Sequence, residues 1–245
     1  MLERMQRSLR PHAPWQPPAV DWSPMPVRMP KRKKGSRPVS MATRGHNSSI
    51  VVDPNDFLAK ELESGIEHNA YLVLTADPRV VSIECQAPPV EYADRDGVVH
   101  EHTFDFRIGI DTGMRTAVMV KKASKVRRAQ LETLAADLAN QIPDSFADAV
   151  MLITEEDLPE WLVANARLIR SARLDKPCAR DGAILERAKS SFEPMSIEEL
   201  CRPFAPFGAR SVARLLYSRD LRQVEAGLIE PTTMVVATAT GEALT

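Results

Sequence analysis

Cysteine is scarce in this 245-residue chain: only Cys85, Cys178 and Cys201, an odd number with no CxxC spacing. That argues against a disulfide framework or structural zinc and fits reduced thiols in a cytoplasmic setting. No apolar run reaches about 18 residues, so no membrane span is expected. The basic N-terminus has no apolar stretch behind it, which speaks against a secretory signal. His100 and His102 share one face of a strand, as transition-metal ligands can. No third His or Cys lies at a useful spacing, and Glu101 points the other way.

What is present is ordinary for a globular protein, at 44% hydrophobic and 27% charged residues, with length for one large or two small domains. The net charge of −1 hides an asymmetry. Residues 1–50 hold 10 Lys/Arg and 2 Asp/Glu, leaving 22 and 31 for the rest of the chain. A basic arm on an acidic body suits a polyanionic partner, because each Lys or Arg near a phosphate releases a condensed counterion. The ordinary alternative is a solvated tail, and PKRKKGSRP would also serve as a nuclear import signal in a eukaryote. Eight of the nineteen prolines fall in this arm. Its composition predicts a mostly disordered segment over 1–52, with order beginning near Asp53 and Trp15 and Trp22 free to dock.

Residues 53–175 read as an α/β domain. Phe57, Leu58, Leu62, Ile66, Ala70, Leu72 and Leu74 approximate a helical period, with Asp53 or Asn55 as cap and Asp77-Pro78 as stop. RVVSIECQ and PVEYA follow as strands, then a turn at Asp94-Arg95-Asp96-Gly97. VVHEHTFDFRIGI reads as one return strand and RTAVMVKK as the next. A polar helix over about 125–141, the strand AVMLIT and a helix over 155–171 complete a sheet with helices on its faces. Residues 176–245 read as helices, a helix-turn-helix carrying Arg210, Arg214 and Arg219, and a strand. That is a winged-helix-like pattern, used by modules that bind DNA or protein, and a helical cap on the first domain is the alternative.

Three residues suggest chemistry. Glu67 on the first helix, Asp105 on a strand and Lys121 at the next strand's end can meet at one sheet edge. Two carboxylates there suit a hard dication such as Mg2+ or Mn2+, with water and phosphate oxygens completing its sphere. The lysine would orient or deprotonate an attacking water and offset phosphoryl charge. Glu63, one turn before Glu67, is an accessory candidate, as is His102 beside Asp105. Each also has a plain reading: a helix Glu as solvated surface, a strand-end Lys as edge protection. Asp105 is the harder one to dismiss, since alternation puts it opposite both Phe104 and Phe106.

At this point the text resembles a family. ESGIEHNAYLVLTADPRVVSIECQAPPVEYADRDGVVHEHTFDFRI, then VMVKK, then VMLITEEDLPEWLVANARLI, is similar to the TnsA endonuclease subunits of heteromeric bacterial transposases, over about residues 57–172. These belong to the PD-(D/E)xK, restriction-endonuclease-like superfamily. The resemblance implies a mixed sheet flanked by helices and a helical C-terminal domain that contacts a transposase. It also implies double-stranded DNA as substrate and a place on the nucleoid in a bacterial cell. Residue by residue it implies Glu67 and Asp105 as metal ligands and Lys121 as catalytic lysine. Gln86 matches a strand glutamine of structural kind. Lys122, Lys125, Arg127 and Arg128 would form a phosphate track, joined by Lys31, Arg32, Lys33 and Lys34 of the arm. Two positions depart: Phe104 replaces a proline, and Met119 stands where Glu or Gln belongs in E/Q-x-K. A thioether is a poor ligand for a hard cation. Either the Val120 carbonyl or Glu63 makes up the loss, or catalysis has gone and a DNA- or transposase-binding scaffold remains. A nuclease of defence or repair is the third possibility, because one fold serves many nucleases.

Overall fold

Four strands build the central mixed sheet, three of them paired antiparallel and the fourth added in parallel at one edge. The structure, a computed structural model, describes residues 30–32, 35, 48–129, 131–191, 193–204 and 208–238. β4 (Val80–Cys85), β7 (Phe106–Ile110) and β8 (Arg115–Val120) pair antiparallel, while β9 (Ala149–Ile153) joins β8 in parallel. The β7–β8 turn relies on Gly113 at φ 89°, a conformation that costs a glycine little. A parallel neighbour needs a crossover, and α2 (Ala123–Ala129) and α3 (Leu131–Ala139) supply it.

β8 is buried on both faces and so reads as a continuous apolar run. Val118 and Val120 join Phe106, Ile108, Ile153 and Tyr71 in one core, with Leu72 of α1 (Gly65–Ala76) and Val163 of α4 (Glu160–Arg173). Ala117 and Met119 join Phe104, Leu138, Ile142 and Phe146 in a second core that takes in α3.

The N-terminal half departs from the sequence reading in three places. Order begins before Asp53: β1 (Lys31–Arg32) and β2 (Ser49–Val52) flank β3 (Leu58–Leu62). Trp15, Trp22 and the rest of the arm lie outside the described residues. The single helix expected from Asp53 to Asp77 is instead β3 followed by α1, which starts at the Ser64 cap. FLAKEL is helix-prone, but β2 pairs antiparallel with it and β1 parallel, and that pairing overrides propensity. Lys60 of β3 is only 2% exposed. Its ammonium reaches Asp56 at 2.6 Å, and Asp53 accepts from the Tyr71 hydroxyl at 2.8 Å, so the buried charges are paired. Third, VVHEHTFDFRIGI is not one strand. β6 (Val99–His102) pairs with β5 (Val90–Ala93) as a hairpin, the chain bends at Thr103–Asp105, and β7 follows. Phe104 and Phe106 therefore enter different cores rather than one face.

The helix expected over 155–171 starts later, at Glu160 after Pro159, behind a 3-10 turn capped by Thr154. Beyond it lie α5 (Ala179–Lys189), β10 (Met195–Ser196), α6 (Ile197–Cys201), α7 (Gly208–Tyr217), β11 (Leu221–Gln223) and β12 (Met234–Ala237). The small sheet runs β10-β12-β11, over a core of Ile184, Leu200, Val212, Leu221 and Val235.

The arginines of the α7 segment are engaged with the chain's own carboxylates. Arg214 makes two 2.7 Å bonds to Asp181, Arg210 meets Asp175 at 2.8 Å, and Arg219, just beyond the helix, reaches Asp77 at 3.3 Å. Burial alone would raise the Asp181 carboxyl, but Arg214, Ser211 and the Cys178 amide outweigh it and hold it well below the usual carboxylate range. Asn165 of α4 ties this region to the rest, donating to the Gly227 carbonyl and accepting from the Ile229 amide, both at 2.8 Å. Among the described residues no helix is long and apolar enough to cross a membrane.

Candidate active site

β7 stops being a ladder partner at Phe106, opposite Val118. The next β8 amide on that edge, Val120, therefore lacks a strand acceptor, and the Asp105 side chain takes the role. Asp105 Oδ2 accepts the Val120 amide at 2.7 Å and Lys121 Nζ at 2.9 Å. The Asp105 carbonyl accepts the Gln86 amide at 2.9 Å, so main chain and side chain are both fixed. Gln86 is buried at φ 50° and acts here through its backbone. In an extended strand the N–H and C=O of one residue leave on the same edge, so the Val120 carbonyl shares an edge with Asp105.

Glu67 sits in the first turn of α1. Ser64 caps that turn, accepting the Glu67 amide at 3.2 Å and donating its hydroxyl to Glu67 Oε1 at 2.9 Å. The Glu63 amide donates to Oε2 at 3.0 Å. Glu63 is thus not one helical turn away on the same face, as expected; it precedes the cap and meets Glu67 through its backbone. Burial, and then the negative charge of Asp105, push the Glu67 carboxyl above the ordinary glutamate range. The two carboxylates are near enough to feel each other.

Lys121 follows β8 directly and extends the parallel pairing, its amide donating to the Ile153 carbonyl at 3.0 Å. The Glu155 carboxylate accepts the Ala123 amide at 2.8 Å at the start of α2, just beyond Lys121 and Lys122. This Glu155 contact escaped the sequence reading, although TEE directly after a strand is a usable signal for a nearby helix start. Lys122 and Lys125 are exposed, and so is Lys31 of β1. Arg127 and Arg128 fall in α2 and Arg32 in β1; their side chains, and all of Lys33 and Lys34, lie outside the described residues.

His102 stands beside the pair, its ring edge-on to Phe104 at 4.8 Å. Burial, and then the Lys121 charge, lower its pKa, and among the described residues its Nε2 has no hydrogen-bond partner. His100 is bonded to Asp94 at 2.7 Å on the hairpin, so the two histidines serve different places. Met119 does not join the site: it is 0% exposed in the second core, with Phe104 and Leu138.

The arrangement therefore gathers Glu67, Asp105 and Lys121, with the Val120 backbone and His102 alongside. Among the described residues no three His, Cys, Asp or Glu side chains cluster. A cation here would rest on two carboxylates plus main-chain and water oxygens. That all-oxygen set suits a hard dication. A cavity of about 830 Å³, mostly apolar, lies at the opposite end of the sheet between α1, α4 and β11. Neither a protein-family profile nor a curated protein matches the sequence.

Proposed function

We propose that this chain is a metal-dependent DNA endonuclease of TnsA type, on a PD-(D/E)xK restriction-endonuclease-like fold. It would hydrolyse a phosphodiester at the end of a transposon or related mobile element together with a transposase partner, in the cytoplasm on the nucleoid. The observation that carries this reading is Lys121 Nζ on Asp105 Oδ2 at the ends of neighbouring strands, with Glu67 coupled to Asp105 from the helix before the sheet. We divide the chain into an arm, a nuclease domain to which β1 and β2 belong through their pairing with β3, and a winged-helix-like C-terminal domain. Because Arg210, Arg214 and Arg219 are bound to the chain's own carboxylates, that last domain is better suited to protein than to reading DNA.

Glu67, Asp105 and the Val120 carbonyl would hold Mg2+ or Mn2+, which when bound supplies charge neutralisation at the phosphate. Lys121 uses one N–H on Asp105 and keeps two for a phosphate oxygen and the attacking water. Asp105, fixed by the Val120 and Gln86 amides, keeps the lysine aimed. Lys122 and Lys125 lie exposed to meet flanking phosphates.

Met119 supports a second reading. Its burial leaves the ligand set one side chain short of E/Q-x-K, as in a nuclease fold retained as a DNA- or transposase-binding scaffold. Incubating DNA with the protein in Mg2+ or Mn2+, alone and with a transposase, separates the two. Cleavage lost in Asp105→Asn supports the enzyme; binding with no cleavage leaves the scaffold.

A further inference from the structure

Both oxygens of the Glu67 carboxylate are tied to the turn that precedes α1. The Ser64 hydroxyl donates to Oε1 at 2.9 Å, and the Glu63 amide donates to Oε2 at 3.0 Å. The same Ser64 oxygen accepts the Glu67 amide at 3.2 Å. One hydroxyl thus grips both the main chain and the side chain of Glu67. A carboxylate oxygen has two lone pairs, so each oxygen keeps one for a cation. Glu67 is only 7% exposed and feels the negative charge of Asp105, a pressure that on its own would turn the carboxylate away or neutralise it.

Capping alone does not ask for serine. Asp, Asn and Gly also begin helices well. An aspartate at position 64 would accept the Glu67 amide, but it has no proton to give the carboxylate and would add a negative charge beside it. A hydroxyl accepts and donates at once. Its first bond serves the helix; its second serves Glu67.

We infer that Ser64 is a positioning residue: by donating to Glu67 it fixes the open lone pairs of that carboxylate near Asp105, so that the two acids receive a cation without rearranging. The inference rests on the endonuclease reading for its cation.

The test is Mn2+ binding to the full chain without DNA, read from the electron paramagnetic resonance of free Mn2+, beside melting curves in EDTA. The ion of this site is the one lost in Asp105→Asn. Ser64→Gly leaves a residue that helix starts tolerate but no hydroxyl. It should weaken that ion about tenfold, in the range for a group that orients a metal ligand from behind, while the melt moves little. Ser64→Thr, which brings a hydroxyl back, should bind as wild type does. Ser196→Gly removes the cap of α6, where Ser196 accepts the Glu199 amide, and should leave Mn2+ binding unchanged. Wild-type affinity in Ser64→Gly, an equal loss in Ser196→Gly, or no recovery in Ser64→Thr overturns the inference. So does a Ser64→Gly chain that does not fold, because the hydroxyl would then serve the fold. In each of these cases the Mn2+ held by wild type keeps the metal reading standing. A wild-type chain with no ion sensitive to Asp105→Asn removes that reading and this inference together.

Discussion

Lys121 Nζ lies 2.9 Å from Asp105 Oδ2, and the same oxygen accepts the amide of Val120 at 2.7 Å. One carboxylate oxygen therefore sets both the strand end and the lysine head. If the lysine orients water and phosphate, Lys121→Ala should cut the single-turnover rate by about 10²–10³-fold, in the range seen for removing one preorganised donor. Lys121→Arg should not restore it, because a planar fork cannot replace a compact three-donor ammonium at this spacing. Quenched-flow cleavage of labelled duplex reads both, and an active Arg variant would argue for charge alone.

Burial and the Asp105 charge raise the Glu67 pKa, so Glu67 should make the metal-free protein less stable at neutral pH. Its folded pKa is raised, so the unfolded chain ionises first as pH climbs from about 4.3. Stability is lost through that rise and stays lost above the folded pKa. In EDTA at pH 7, Glu67→Gln should melt higher than wild type, by about 2–4 °C for each kcal/mol regained. The gap should close below about pH 4, where Glu67 is protonated in both states. Adding Mg2+ should raise the melting temperature of wild type and leave the variant nearly unchanged. Calorimetry across pH checks all three, and a variant that melts lower in EDTA at pH 7 contradicts the charge argument.

Placing an acid at position 119 should fail. The side chain is fully buried in the core that takes in α3, so Met119→Glu would bury an unpaired charge, and neutralising it also costs several kcal/mol. Met119→Leu keeps the volume and should cost under about 1.5 kcal/mol. Denaturant melts measure both, and a stable, more active Met119→Glu would mean that position 119 can reach the site.

These contrasts show what the sequence made readable. Asp105 and Lys121 stood out because a charged residue among aromatics and a lysine closing an apolar strand both break their local pattern. The mixed sheet followed from alternation and turn residues. β3 did not, because Leu58, Leu62 and Ile66 fit a helical period, while what makes a strand of Leu58–Leu62 is its pairing with β2 just upstream and with β1 farther back, which the period does not report. The bend at Thr103–Asp105 was equally hidden: period-2 alternation continues through it, and only the end of pairing at Phe106 reveals it. The pairing of Arg214 with Asp181 and Arg219 with Asp77 is a tertiary fact with no sequence spacing to announce it.

DNA affinity should follow those pairings. Lys122 and Lys125 are exposed beside the site, and replacing either with Ala should lower the salt slope of duplex binding by about 0.9. Arg210, already bonded to Asp175 and Ser171, should be neutral in the same titration. A slope lowered by Arg210→Ala and not by the lysine variants would move the DNA to α7.

The most direct measurement is strand cleavage of supercoiled plasmid by wild type and Asp105→Asn, in Mg2+ and in Mn2+, with and without a transposase partner. The expected result is nicked or linear DNA from wild type alone, with Asp105→Asn folded, DNA-bound and inactive. Intact plasmid in every wild-type reaction, or equal cleavage by Asp105→Asn, would contradict it.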